Sequence, residues 1–196
     1  MMKKSLLVGV AALSLITFST QTFAADGVHT VTKGESLWDI SKENAVSIIQ
    51  LKKENDLNSN EIYPGQTLQL PDIKVTAEEQ ELLAKLVHAE AKGESYAGKV
   101  AVAIVVLNRV DSTEFPDSIK EVIYQVSNGH YAFSPVKNGE INNRPSGEAR
   151  EAVNEALAFR GQGHGSLFFY NPVTSTSDWI TSRETLLTIG KHRFAK

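Results

Sequence analysis

An α+β protein in two parts is what the sequence predicts. A small strand–helix–helix–strand unit spans 27–71, and a larger, mainly helical unit with a short β-sheet spans 79–196. Three observations carry this. Residues 28–70 alternate short strand and helix patterns separated by turn residues. Residues 77–91 repeat apolar positions at helical spacing behind a capping pair. Residues 96–110 are apolar nearly all round, yet too short for a bilayer span, as expected of a central core helix. The chain has 196 residues, a formal charge of −3, 22% charged and 41% hydrophobic residues, an ordinary globular balance. That excludes collagen, a coiled-coil rod and a disordered chain. The absence of cysteine excludes disulfides, thiolate zinc sites and thiol nucleophiles. The weak acidic balance argues against nucleic acid as a partner.

The elements follow in order. Lys3 and Lys4 precede an apolar run over 6–18, and Thr22-Phe23-Ala24 offers a cleavage site before Ala25. This is the pattern of a secretory signal peptide over 1–24, the alternative being a membrane anchor. Its removal takes two lysines and no acid, so the charge moves from −3 to −5. The expected mature form has no integral membrane span. Val28 to Val31 alternates like a strand, and Lys33-Gly34-Glu35 turns. Ser36 with Asp39 caps a first helix, and Val46-Ser47 opens a second through Leu51. Asn55 to Asn58 breaks the pattern, Ile62 to Gln66 turns, and Thr67 to Leu70 closes with a strand. Residues 72–78 form a linker too short and too apolar for a flexible tether, which places the two units close together.

Thr76 with Glu79 caps the helix over 77–91, whose apolar stripe runs Leu82, Leu83, Leu86, Val87. Extending the stripe by one turn puts Glu90 on the buried face. A carboxyl there loses hydration, which raises its pKa and yields an acid near neutral pH. The alternative is a buried Glu90 paired with Arg109 or Arg183. Glu94, one turn on but beyond Gly93, is a supporting carboxylate or a second catalytic one. Ser118 with Glu121 and Ser146 start further helices, 125–140 is loop-rich, 166–170 is a strand, and 185–189 is a helical turn or a strand.

Two resemblances rest on these residues. His29-Thr30-Val31, Lys33 to Ile40, Leu51 to Asn55 and Ile62 to Leu68 together resemble a LysM module. That resemblance implies binding of N-acetylglucosamine-containing glycans. It places the sugar groove at Gly34, Glu35, Ser36 and Leu37 and at Leu57 to Ile62. Asn44-Ala45 departs from the aromatic-glycine pair of many members. Trp38 and Ile62 have core packing as their alternative, and core is favoured for Trp38.

His88 to Ala103, with its E-A-x-G-E-x-Y-x-G core, is similar to the signature of SleB/CwlJ-type cell-wall hydrolases, a family that includes spore cortex-lytic enzymes. Matching blocks follow at 107–110, 115–116, 122–125, 133–136, 169–172, 177–180 and 189–194. The resemblance implies a lysozyme-like fold and cleavage of the MurNAc–GlcNAc bond, at least in part as a lytic transglycosylase. It makes Glu90 the catalytic acid. Tyr96, Phe133, Tyr170 and Trp179 are candidates for stacking on sugar rings, with gap filling as the alternative and core favoured for Phe133. Ser134, Asn171 and Ser177 are candidates for hydrogen bonds to N-acetyl or hydroxyl groups.

No cofactor and no metal is expected. Peptidoglycan glycan strands are the expected partner, and the protein is expected to be a secreted, wall- or spore-associated monomer. His29, His88, His130, His164 and His192 invite a zinc amidase, but no H-E-x-x-H occurs. No G-x-S-x-G occurs either. A non-catalytic wall-binding protein is the rival of a different class.

Overall fold

The computed structural model describes residues 27–72 and 75–196. The expected signal peptide at 1–24 lies outside the described residues, as do 73 and 74 of the expected linker.

In the N-terminal unit, β1 (Val28–Thr30) pairs antiparallel with β2 (Thr67–Gln69). Between them run α1 (Leu37–Glu43) and α2 (Ile48–Glu54). The Ser36 hydroxyl accepts from the Asp39 N–H at 3.2 Å, and the Asp39 carboxylate accepts from the Ser36 N–H at 3.0 Å. This reciprocal cap fixes where α1 starts. Val31, Leu37, Ile40, Val46, Leu51 and Leu68 fill the core of this βααβ unit, with Leu57 and Ile62 packed against it.

The second unit opens with α3 (Ala77–Glu90), started by the reciprocal Thr76–Glu79 cap. α4 (Tyr96–Val110) is central and packs against α3, α5 (Ile119–Tyr124) and α7 (Gly147–Ala158). Its Val100, Val102, Val105, Val106 and Leu107 are buried, as an all-round apolar helix requires. β5 (Phe168–Tyr170), β6 (Thr185–Ile189) and β7 (His192–Ala195) form an antiparallel sheet in the order β5-β7-β6. Residues 185–189 are therefore strand. α8 (Asp178–Thr181) sits between β5 and β6.

Residues 125–140, expected as loop, carry more order. β3 (Val126–Ser127) and β4 (His130–Tyr131) form a hairpin, followed by α6 (Ser134–Asn138) and a 3-10 turn at Glu140–Asn142. The cause is Asn128-Gly129, both at positive φ (50° and 77°), the pair that a tight two-residue hairpin turn demands.

Two local features join the units. Trp38, expected in the core of its own unit, is only partly buried there. Its ring lies 4.4 Å from that of Phe159, at the end of α7. Ser47 makes no cap bond in α2; its hydroxyl donates to the Arg160 carbonyl at 2.8 Å.

Candidate active site

Glu90 is the last residue of α3, below the buried Leu83, Leu86 and Val87. Its carboxyl is pushed up to about 7, with loss of hydration as the main cause. The Ser134 N–H, Arg109 and the Ser134 hydroxyl pull the other way, and the charge of Glu140 adds to the rise. Ser134 is exposed at the first turn of α6, so one rim of the carboxyl meets solvent-facing polar groups. Among the described residues no cation stands within ion-pair distance of Glu90.

Arg109, on the last turn of α4, is the buried cation of the site. Its Nε donates to the Leu167 carbonyl at 2.7 Å. Its guanidinium lies 5.0 Å from the Phe115 and Phe133 ring centres and 5.5 Å from Phe168. Burial lowers its pKa to about 10 and Glu90 opposes that, so it stays charged at neutral pH. The aromatic faces offset part of its lost hydration. It is close enough to Glu90 to bias the carboxyl without neutralising it.

Glu94 has a separate task. It sits on the loop from α3 to α4, and its Oε2 accepts the Lys191 N–H at 3.1 Å in the β6–β7 turn. Gly190, at φ +56°, leaves the space that this carboxylate fills; a Cβ there would overlap Glu94 Oε2. Glu94 thus ties the hairpin to the chain segment just past Glu90. Next to it His192 stands edge-on to Phe169 and Phe194, its Nδ1 buried without a partner. Burial holds that imidazole below its usual range, against the pull of Glu94. Gly190→Ala is expected to lower stability by about 2 kcal/mol and the melting temperature by about 4–8 °C, from left-handed strain plus loss of the Glu94 bond. A thermal melt checks it, and an unchanged midpoint would mean that Glu94 does not hold that turn.

The other expected contacts divide. Phe133 is 3% exposed and stacks on Phe169, and Tyr170 is 7% exposed with an unpartnered hydroxyl. Leu37 is 3% exposed. These three stand in the interior, not on a sugar-facing surface. Tyr96 donates to Glu155 Oε2 at 2.8 Å across α4 and α7. Asn171 closes a turn by accepting the Val173 N–H at 2.9 Å. Ser177 is exposed ahead of α8. Trp179 is 55% exposed, edge-on to Phe168, with Arg183 4.4 Å over its ring. Gly34 turns at φ +95°, and Ser36 is exposed beside it. Glu35 accepts the Thr32 N–H at 2.6 Å, the main reason its carboxyl lies below its usual range. Leu57 and Ile62 are half-buried, packed against the core of the N-terminal unit.

Glu140 was not among the sequence candidates. It lies on a 3-10 turn that packs on α3, and no periodicity links residue 140 to residue 90. Among the described residues no group of three or more His, Asp or Glu side chains could hold a metal ion.

The LysM domain profile matches residues 29–71, and the Cell Wall Hydrolase profile matches 93–195, starting just past Glu90. The spore cortex-lytic enzyme of Halalkalibacterium halodurans is 44% identical over 114 residues, covering 58% of this chain and 33% of that one. That of Bacillus subtilis is 43% identical over 115 residues, covering 59% and 36%. The chain thus spans about a third of the length of these relatives. The solved catalytic domain of the germination-specific lytic transglycosylase SleB from Bacillus anthracis superposes with a TM-score of 0.58 at 37% identity, covering 65% of this chain and all of that one. The chain belongs to the cell wall hydrolase family and carries a LysM domain ahead of its hydrolase domain.

Proposed function

We propose that the protein is an exported enzyme that cleaves the MurNAc–GlcNAc β-1,4 bond of peptidoglycan, held on the wall by its LysM domain. The observation that carries this is Glu90, a carboxyl largely buried at a helix end, whose lost hydration raises its pKa to about 7, so that it keeps a substantial protonated fraction near neutral pH. The Bacillus anthracis neighbour, a germination-specific lytic transglycosylase, supports the reaction class.

Glu90 donates its proton to the glycosidic oxygen as the bond from muramic C1 breaks. The resulting carboxylate then takes the proton of the muramic 6-hydroxyl. O6 closes on C1, and a 1,6-anhydro end forms with the acid regenerated. The substrate supplies the nucleophile, so one essential carboxyl suffices. Glu94 is engaged with the β6–β7 turn, which suits a positioning role. Buried Arg109 stabilises the transient Glu90 carboxylate. Ser134, Asn171, Ser177 and Trp179 remain the proposed sugar contacts on accessible surface. Gly34, Glu35, Ser36, Leu57 and Ile62 are the proposed LysM contacts. The N-terminal basic-then-apolar segment supports export, and the relatives support a wall or spore-cortex location.

A specific observation favours one second reading. The charge of Glu140 reaches Glu90, so Glu140 is the carboxylate a plain hydrolase would use to activate water. Mass spectrometry of products from purified vegetative and cortex peptidoglycan separates the two. Muropeptides lighter than hydrolysis products by one water are expected. Reducing muramic ends would assign hydrolysis and turn attention to Glu140. Free peptides would mean an amidase, and no release from either substrate would leave a wall-binding protein.

A further inference from the structure

We infer that the LysM domain is docked on the hydrolase domain in one fixed pose, and that this pose sets a minimum length of glycan for two-site engagement. The inference deepens the proposed function, since it rests on the LysM groove and the Glu90 site taking the same polymer.

The contact is built from residues that forgo local stability to make it. Ser47 stands at the N-cap of α2, where its hydroxyl ordinarily bonds the helix's own N–H groups and stabilises the helix start. Instead it is 4% exposed and donates to the Arg160 carbonyl of the other domain. Ala45 turns α1 into α2 at φ +53°, a left-handed conformation that strains a non-glycine residue. Its methyl group, which a glycine would lack, packs against the hydrophobic core of the hydrolase domain. Both departures make sense only with that domain in place.

The receiving surface is equally fixed. The Arg160 guanidinium is gripped by Asp111, Nη2 to Oδ1 at 2.6 Å and Nε to Oδ2 at 3.0 Å, so the ends of α4 and α7 are joined beneath Ser47. The Phe159 ring, one residue earlier, meets Trp38 at 4.4 Å. Trp38 directly follows the proposed sugar-binding turn at Gly34 to Leu37. The groove is therefore mounted by its own helix on α7, and α7 packs on α3, which carries Glu90. A loose tether would let the two sites adjust to any spacing. A docked module presents glycan at one spacing only.

The test uses the full chain and peptide-free GlcNAc–MurNAc oligosaccharides of graded length. Binding is measured in a Glu90→Gln background by calorimetry, so that cleavage is not needed. Docked protein is expected to show a sharp affinity step of at least about tenfold at the length that first bridges both sites. Trp38→Ala/Ser47→Ala, and separately Ser47→Glu, which sets a carboxylate against the Arg160 carbonyl, should flatten that step. Binding of the shortest oligosaccharides should stay within twofold, and small-angle scattering should show a larger particle. The Ser47→Glu variant guards against a loss of LysM folding through Trp38. Equal length profiles in docked and undocked proteins, or the absence of any step, overturn the inference. An intact step with no cleavage by the Glu90 form would instead sink the enzymatic reading.

Discussion

Glu90→Gln is expected to lower release of soluble muropeptides by about 10²–10⁴-fold, the usual contribution of a positioned acid–base group. Binding to insoluble peptidoglycan should be retained, because the LysM core and its turn at Gly34 stand apart from α3. The substitution keeps size and hydrogen-bonding capacity but removes the proton that the leaving oxygen needs. The loss should therefore fall on kcat more than on KM. The pH profile of the wild type should carry the same signature. The acid form of a group at about 7 dominates below neutrality, so cleavage should decline through about pH 7 as the proton is lost. Turnover assays against purified sacculi, beside a sedimentation assay for binding, check both parts. A variant that keeps more than a tenth of wild-type release would move the acid elsewhere, with Glu140 as the first residue to examine.

Much of this is legible in the amino-acid sequence. Local signals are self-contained, and the helix starts at Ser36/Asp39 and Thr76/Glu79 depend only on residues three apart. The helix over Tyr96–Val110 follows from its unbroken apolar run. Glu90 emerged from counting turns along the stripe of α3. What could not be read is what depends on chain segments meeting. The sequence offers Arg109 as an ion-pair partner for Glu90; it sits instead among Phe115, Phe133 and Phe168, brought in from two loops and a strand. Glu140 acts on Glu90 only because a 3-10 turn packs against α3. Trp38 looked like core because its neighbours are apolar; it is instead the face offered to Phe159. The hairpin at Val126–Tyr131 is a different case. Its Asn-Gly signal is local and strong, but the flanking strands are too short to alternate.

The same substitution that stops the chemistry should make the protein more stable at high pH. A carboxyl at about 7 in the folded chain, against an ordinary value of 4.5, binds its proton more tightly folded than unfolded. Folding is therefore favoured by protonation. That contribution is complete below about pH 4.5 and is lost as the pH rises through about 7. Above that, the folded protein holds a poorly hydrated charge at a cost of about 3 kcal/mol. Glutamine never ionises, so Glu90→Gln is free of this penalty. Denaturant unfolding at pH 4 and pH 8 should give nearly equal stabilities at the lower pH. At the upper pH the variant should lead by about 3 kcal/mol. Parallel curves at both pH values would mean that Glu90 is hydrated like a surface carboxylate, and would remove the ground for its acid role. A stabilising loss of activity is what a residue kept for chemistry should produce, since a residue kept for packing would destabilise on replacement.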